Sequence, residues 1–122
     1  MKNVLEKAQE LAEAVSQSDV YLRMKEKEAE VERDEAASAA VQRMIAKRQR
    51  VEELLTKKGM DPAELRAANG EMILAEREMN ANGKVMALKA ARKEFTDMMD
   101  NVNRILRVVI TGEIREEDLG QG

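Results

Sequence analysis

The 122-residue sequence contains no cysteine, histidine or tryptophan, and only one proline, one tyrosine and one phenylalanine. Without cysteine there is no disulfide, no thiolate metal site and no thiol nucleophile. Without histidine the chain loses the commonest general base, the commonest metal ligand and any Ser-His-Asp arrangement. No GxSxG or Ser-x-x-Lys context surrounds its serines, and no GxxxxGK[ST] phosphate loop is present. Neither an apolar signal-peptide core nor the ~20 apolar residues of a membrane helix can be found. These absences argue against an enzyme, a cofactor and a membrane protein, and for a cytoplasmic protein.

What is present is charge and helix-forming composition. Charged residues make up 37% of the chain, the net charge is −3, and acids and bases are intermixed. Ala, Glu, Lys, Arg, Leu and Met favour helix nearly everywhere, and the periodicity agrees. Val4, Leu5, Ala8, Leu11, Ala12 and Val15 line one face of a first helix, with Asn3 as its N-cap. Ser18 caps a second, running to about Arg33. Asp34 caps a third, which is expected to reach Lys58 before Gly59, with Ala37, Val41, Met44, Arg48, Val51 and Leu55 on a near-heptad seam. Asp61-Pro62-Ala63-Glu64 reads as a cap, an N1 proline and a capping box. Leu65, Met72 and Met79 then repeat at seven, with Ala68 and Ala75 between them, and Gly70 weakens the helix interior.

The strongest signal lies last. After a cap at Asn82, Leu88, Ala91, Phe95, Met98, Val102, Ile105 and Val109 alternate steps of three and four up to Gly112. A helix from Lys84 to Thr111 spans about 42 Å, against about 30 Å for a compact domain of this size. It must project or be covered by a second subunit. The fold class is therefore all-α: an elongated antiparallel helical bundle of two short N-terminal helices and three longer ones, the last coiled-coil-like. Residues 1–112 are expected to form one helical domain, and 113–122 a flexible polar tail. Val, Ile, Leu and Phe together number only 26, so a homodimer sharing a seam would relieve a shortage of apolar surface.

Three side-chain groups carry candidate functions. Leu88, Phe95, Met98, Val102, Ile105 and Val109 form a packing and association seam, one end serving the chain's own core and the other a partner. Nine methionines are many for this length. Met72, Met79 and Met98 fall on expected core positions, whereas Met86 and Met99 sit off the seam and are candidate partner contacts. Arg43, Lys47, Arg50, Lys89 and Arg92 offer an alternative basic patch for a phosphate backbone. The acidic balance and the lack of stacking aromatics oppose direct nucleic-acid binding. The carboxylates Glu6, Glu10 and Glu13, and Glu71 with Glu78, read as solvated helix faces.

Ala8-x-x-Leu11-Ala12, Ser18-x-x-Tyr21, Asp34-Glu35-Ala36, Gln49 ahead of Gly59, Asn82-x-x-Val85, and Phe95, Asn103 and Ile105 follow one another along the chain. In that order and spacing they resemble the YlbF/YmcA family of small helical regulatory proteins. The resemblance implies an all-helical, oligomer-forming protein without catalytic activity that acts through partners in competence, sporulation and biofilm control. In some members it implies modulation of an mRNA-cleaving endoribonuclease. Iron–sulfur binding through cysteines, which certain members show, does not transfer to a chain that has none. The expected function is a cytoplasmic adaptor or regulator that self-associates, a dimer being favoured, and binds partner proteins through helical surfaces. The alternatives are a nucleic-acid-associated helical protein and a structural coiled-coil spacer.

Overall fold

In a computed structural model, residues 1–112 are described. Five helices follow one another: α1 (Lys2–Ser16), α2 (Asp19–Arg33), α3 (Glu35–Thr56), α4 (Pro62–Ala81) and α5 (Gly83–Thr111). The tail expected over 113–122 lies outside the described residues.

The breaks between helices are set by short polar side chains. Ser18 closes one helix and opens the next, since its Oγ donates to the Val15 carbonyl at 2.7 Å and accepts from the Tyr21 N–H at 3.2 Å. Asp34 accepts from the Ala37 N–H at 2.8 Å, and Asp61 from the Ala63 N–H at 2.9 Å with Pro62 at the first helical position. Asn82 accepts from the N–H groups of both Lys84 and Val85. Each cap satisfies donors that a helix N-terminus would otherwise leave orphaned. Gly112 takes a left-handed backbone at φ 71° directly after α5, a conformation that ends helices and suits glycine, and Gly59 takes one at φ 72° in the turn between α3 and α4.

Three local expectations are corrected. Asn3 is not a cap: α1 begins at Lys2 and the Leu5 N–H reaches the Met1 carbonyl, so the helix runs back past it. Glu64 does not complete a capping box, because its carboxylate lies 2.6 Å from the Arg50 guanidinium. Helix α3 ends at Thr56 rather than Lys58, Lys57 being already extended.

The described helices belong to two compact units. Lys25–Ala90 forms the first around the α3–α4 hairpin. Its centre is Val51, Leu54 and Ala68, with Leu65 and Met72 packed against them. Ion pairs Arg43–Glu78, Lys47–Glu71 and Arg50–Glu64 step up α3 as they step down α4, so the two helices are antiparallel. The buried side of α3 is Ala37, Ala40, Met44, Val51 and Leu54, while Arg48 and Leu55 are exposed. The seam thus keeps Ala37, Met44 and Val51, but its intervening positions fall one residue earlier than expected. Val31, Val85 and Leu88 are also buried in this unit.

The second unit joins Met1–Met24 to the chain from Ala91 onward. Here the chain's one tyrosine and one phenylalanine meet, the Tyr21 and Phe95 rings lying 5.9 Å apart and tilted by 56°. Arg23 pairs with Glu94 beside them at 2.5 Å. As α2 advances its partner on α5 recedes, so these segments too run antiparallel. Met24 and Ala91 are buried, whereas α1 contributes no buried residue.

Candidate interaction surfaces

Helix α5 carries its apolar stripe unbroken, but burial along the stripe falls toward the C-terminus. Val85, Leu88 and Ala91 are buried, and Phe95, Met98 and Val102 are half-buried. Beyond them Ile105 is 59%, Leu106 45%, Val109 77% and Ile110 78% exposed. Exposing a row of large aliphatic side chains on adjacent helix turns leaves their transfer free energy uncollected. A contiguous apolar row of this kind marks an interaction surface more often than it marks ordinary surface. Leu106 and Ile110 were not on the three-four seam. Their signal is the doublet: Ile105-Leu106 and Val109-Ile110 widen the stripe on successive turns.

The other seam candidates divide accordingly. Leu88 belongs to the hairpin unit's interior, while Phe95 packs on Tyr21. Met86 is 46% exposed on the early part of α5, and Met99 is half-buried further along. On the hairpin unit Ile45, Ile73 and Leu74 also face solvent in part, as isolated apolar positions commonly do.

The basic row on α3 is brought together, but opposite acids. Arg43, Lys47 and Arg50 each meet a glutamate of α4 at 3.1, 3.2 and 2.6 Å. Lys89 donates to the Asn80 side chain, and Arg92 is exposed. A cation that already faces a carboxylate offers a phosphate less, because binding must first displace the acid. Between α3 and α5, Lys84 reaches Asp34 at 3.2 Å. The Ala37 N–H, and then Lys84, hold the Asp34 carboxyl below its ordinary value of 3.8.

Among the described residues no group of acidic side chains is arranged to hold a metal ion, and no helix is long and apolar enough to cross a membrane. The hollow lined by Gln49, Glu52, Glu53 and Thr56 is open and polar, without an apolar floor.

Comparison with known proteins agrees with the helical architecture. The crystal structure of Bacillus subtilis RicA in complex with RicF resembles this chain with a TM-score of 0.78 at 22% identity, covering 93% of this chain and 97% of that one. No curated protein sequence matches. The family model described as control of competence regulator ComK, YlbF/YmcA, matches residues 4–111. With nearly the whole helical body matched, the chain belongs to the YlbF/YmcA family of competence-control regulators.

Proposed function

We propose that the chain is a non-catalytic cytoplasmic regulator that works by binding proteins, itself included, through helical surfaces. The observation that carries this reading is the open aliphatic row at the end of α5, Ile105, Leu106, Val109 and Ile110, which continues the packed stripe from Leu88 through Phe95, Met98 and Val102. A stripe that packs at one end and is bare at the other fits a chain whose own core uses one half and whose partner uses the rest. Met86 and Met99, with adaptable thioether side chains, are further candidate partner contacts. Membership of a regulator family supports the reading, as does the likeness to RicA, a protein crystallised with RicF. The pairing of Arg43, Lys47 and Arg50 with glutamates weighs against a nucleic-acid reading.

The test is affinity capture of the tagged chain and of a Val109→Asp variant from native cytoplasm, with and without nuclease. A stoichiometric protein that survives nuclease and is lost with the variant supports the adaptor reading. Recovery of nuclease-sensitive material alone favours the nucleic-acid alternative, and recovery of the chain's own copies alone favours a structural spacer.

A further inference from the structure

A surface helix normally turns its charges of both signs to solvent, and α4 does not. Its exposed face holds two arginines, Arg66 and Arg77, two large aliphatics, Ile73 and Leu74, and small residues such as Ala67 and Gly70. No acid stands on it. Glu64, Glu71 and Glu78 are turned toward the cations of α3, and Glu76 shares a flank with half-buried Asn69 and Asn80. Ile73 is 46% and Leu74 64% exposed. Either alone would be ordinary, but they are adjacent, with Arg66 two turns before Ile73 and Arg77 one turn after it. Among the described residues neither Arg66 nor Arg77 has an ion-pair or hydrogen-bond partner, whereas Arg43, Lys47 and Arg50 each hold a glutamate. At Gly70, between the two arginines, a Cβ would meet nothing within 4 Å. The chain's own packing therefore does not call for glycine there, and the helix backbone stands open to close approach.

We propose that the outer face of α4 docks an acidic amphipathic helix of a partner protein. The partner's aliphatic side chains lie over Ala67 and Gly70 beside Ile73 and Leu74, and two of its carboxylates, about 16 Å apart along the axis, meet Arg66 and Arg77. Charge complementarity decides the kind of partner. The chain as a whole carries −3, yet this face presents positive charge alone, so it draws an acidic segment. Arginine also suits the task, since its planar fork takes a carboxylate through two hydrogen bonds and is enriched at protein interfaces. A phosphate backbone fits less well. Two cations about 16 Å apart, with two aliphatic side chains between them, leave the intervening phosphates unneutralised, and the face has no aromatic ring on which a base could stack. A second copy fits less well too, because a two-fold pairing of this face would set its arginines against one another. The site lies wholly within α4 and does not depend on the aliphatic row of α5.

The test selects binders of the full chain from a displayed library of helical peptides of about 20 residues, matching the roughly 30 Å of α4, with one face randomised. The selected peptides are expected to carry aliphatic residues flanked by carboxylates about three turns apart. Their affinity should fall at least about tenfold on Arg66→Glu/Arg77→Glu and on Leu74→Lys, and stay unchanged on Arg48→Glu, which alters an exposed cation of α3. All these variants change exposed side chains, so helicity and the urea midpoint should keep their wild-type values, which separates lost binding from lost folding. Selected peptides without the paired acids, equal binding to the Arg66→Glu/Arg77→Glu chain, or no enrichment over that chain overturns the proposal. Single-stranded RNA bound through the same two arginines assigns the face to nucleic acid, and a wild-type native mass that drops with Leu74→Lys assigns it to a second copy. Either result also overturns it. The α5 row is judged separately by capture with Val109→Asp, so a failure here leaves that reading standing.

Discussion

Leu54 is the one large side chain held wholly away from solvent among the described residues. It sits where α3 meets Ala68, with Leu65 and Met72 alongside. Leu54→Ala should therefore cost about 2–5 kcal/mol, the range for a leucine whose cavity cannot collapse, read by urea denaturation. Its neighbour Leu55 is 61% exposed, so Leu55→Ala should cost far less. Asn82 is the single residue between α4 and α5, and its side chain satisfies two N–H groups of α5, so Asn82→Ala should cost about 1 kcal/mol. Asp34 adds a pH dependence. Its folded value is lowered by the Ala37 N–H and by Lys84, so its charge contributes stability above its ordinary value of 3.8. That contribution is lost as pH falls through the lowered folded value. Asp34→Asn keeps a capping oxygen without the charge. The melting-temperature gap between wild type and variant should shrink between about pH 7 and about pH 2.

Helix boundaries were largely legible because each rests on one residue's local chemistry. Ser18, Asp34, Asp61 and Asn82 cap the helices they precede, and Gly112 supplies a left-handed stop, whereas α3 ends on an extended Lys57 before Gly59 is reached. The phase of α3 was not legible in the same way. Val41, Arg48 and Leu55 satisfy the step pattern as well as Ala40, Lys47 and Leu54 do. Only packing on α4 decides between them, and that pairing is tertiary information. Glu64 shows the same limit, since a local capping box loses to Arg50 across the hairpin. Gly70 offers a test at this scale. It lies in the interior of α4 with a helical backbone, and a Cβ there meets nothing within 4 Å. Gly70→Ala should stabilise the chain by about 0.5–1 kcal/mol. The ladder of exposed ion pairs on the hairpin sets register more than stability. Removing one, as in Glu71→Gln, should change unfolding by no more than about 1 kcal/mol.

For the whole chain the decisive feature is that apolar surface is spent unevenly. The hairpin unit collects its aliphatic residues around Leu54, whereas α1 buries none and the end of α5 leaves four large side chains in solvent. Shortage of bulky residues already pointed to association, and the seam on α5 was visible in its steps. Where the seam passes from packed to bare was not visible, because burial depends on where the other helices end. That bare end is the surface proposed to bind partners. Val109 is 77% exposed, so Val109→Asp should alter the isolated chain's stability by no more than about 0.5 kcal/mol while removing its contact surface. The most direct test is light scattering on wild type and Val109→Asp side by side across a concentration series. Wild type is expected at twice the 13.7 kDa chain mass, and the folded variant at the single-chain mass. A wild-type chain that stays single at high concentration, or a variant that stays paired, would contradict it.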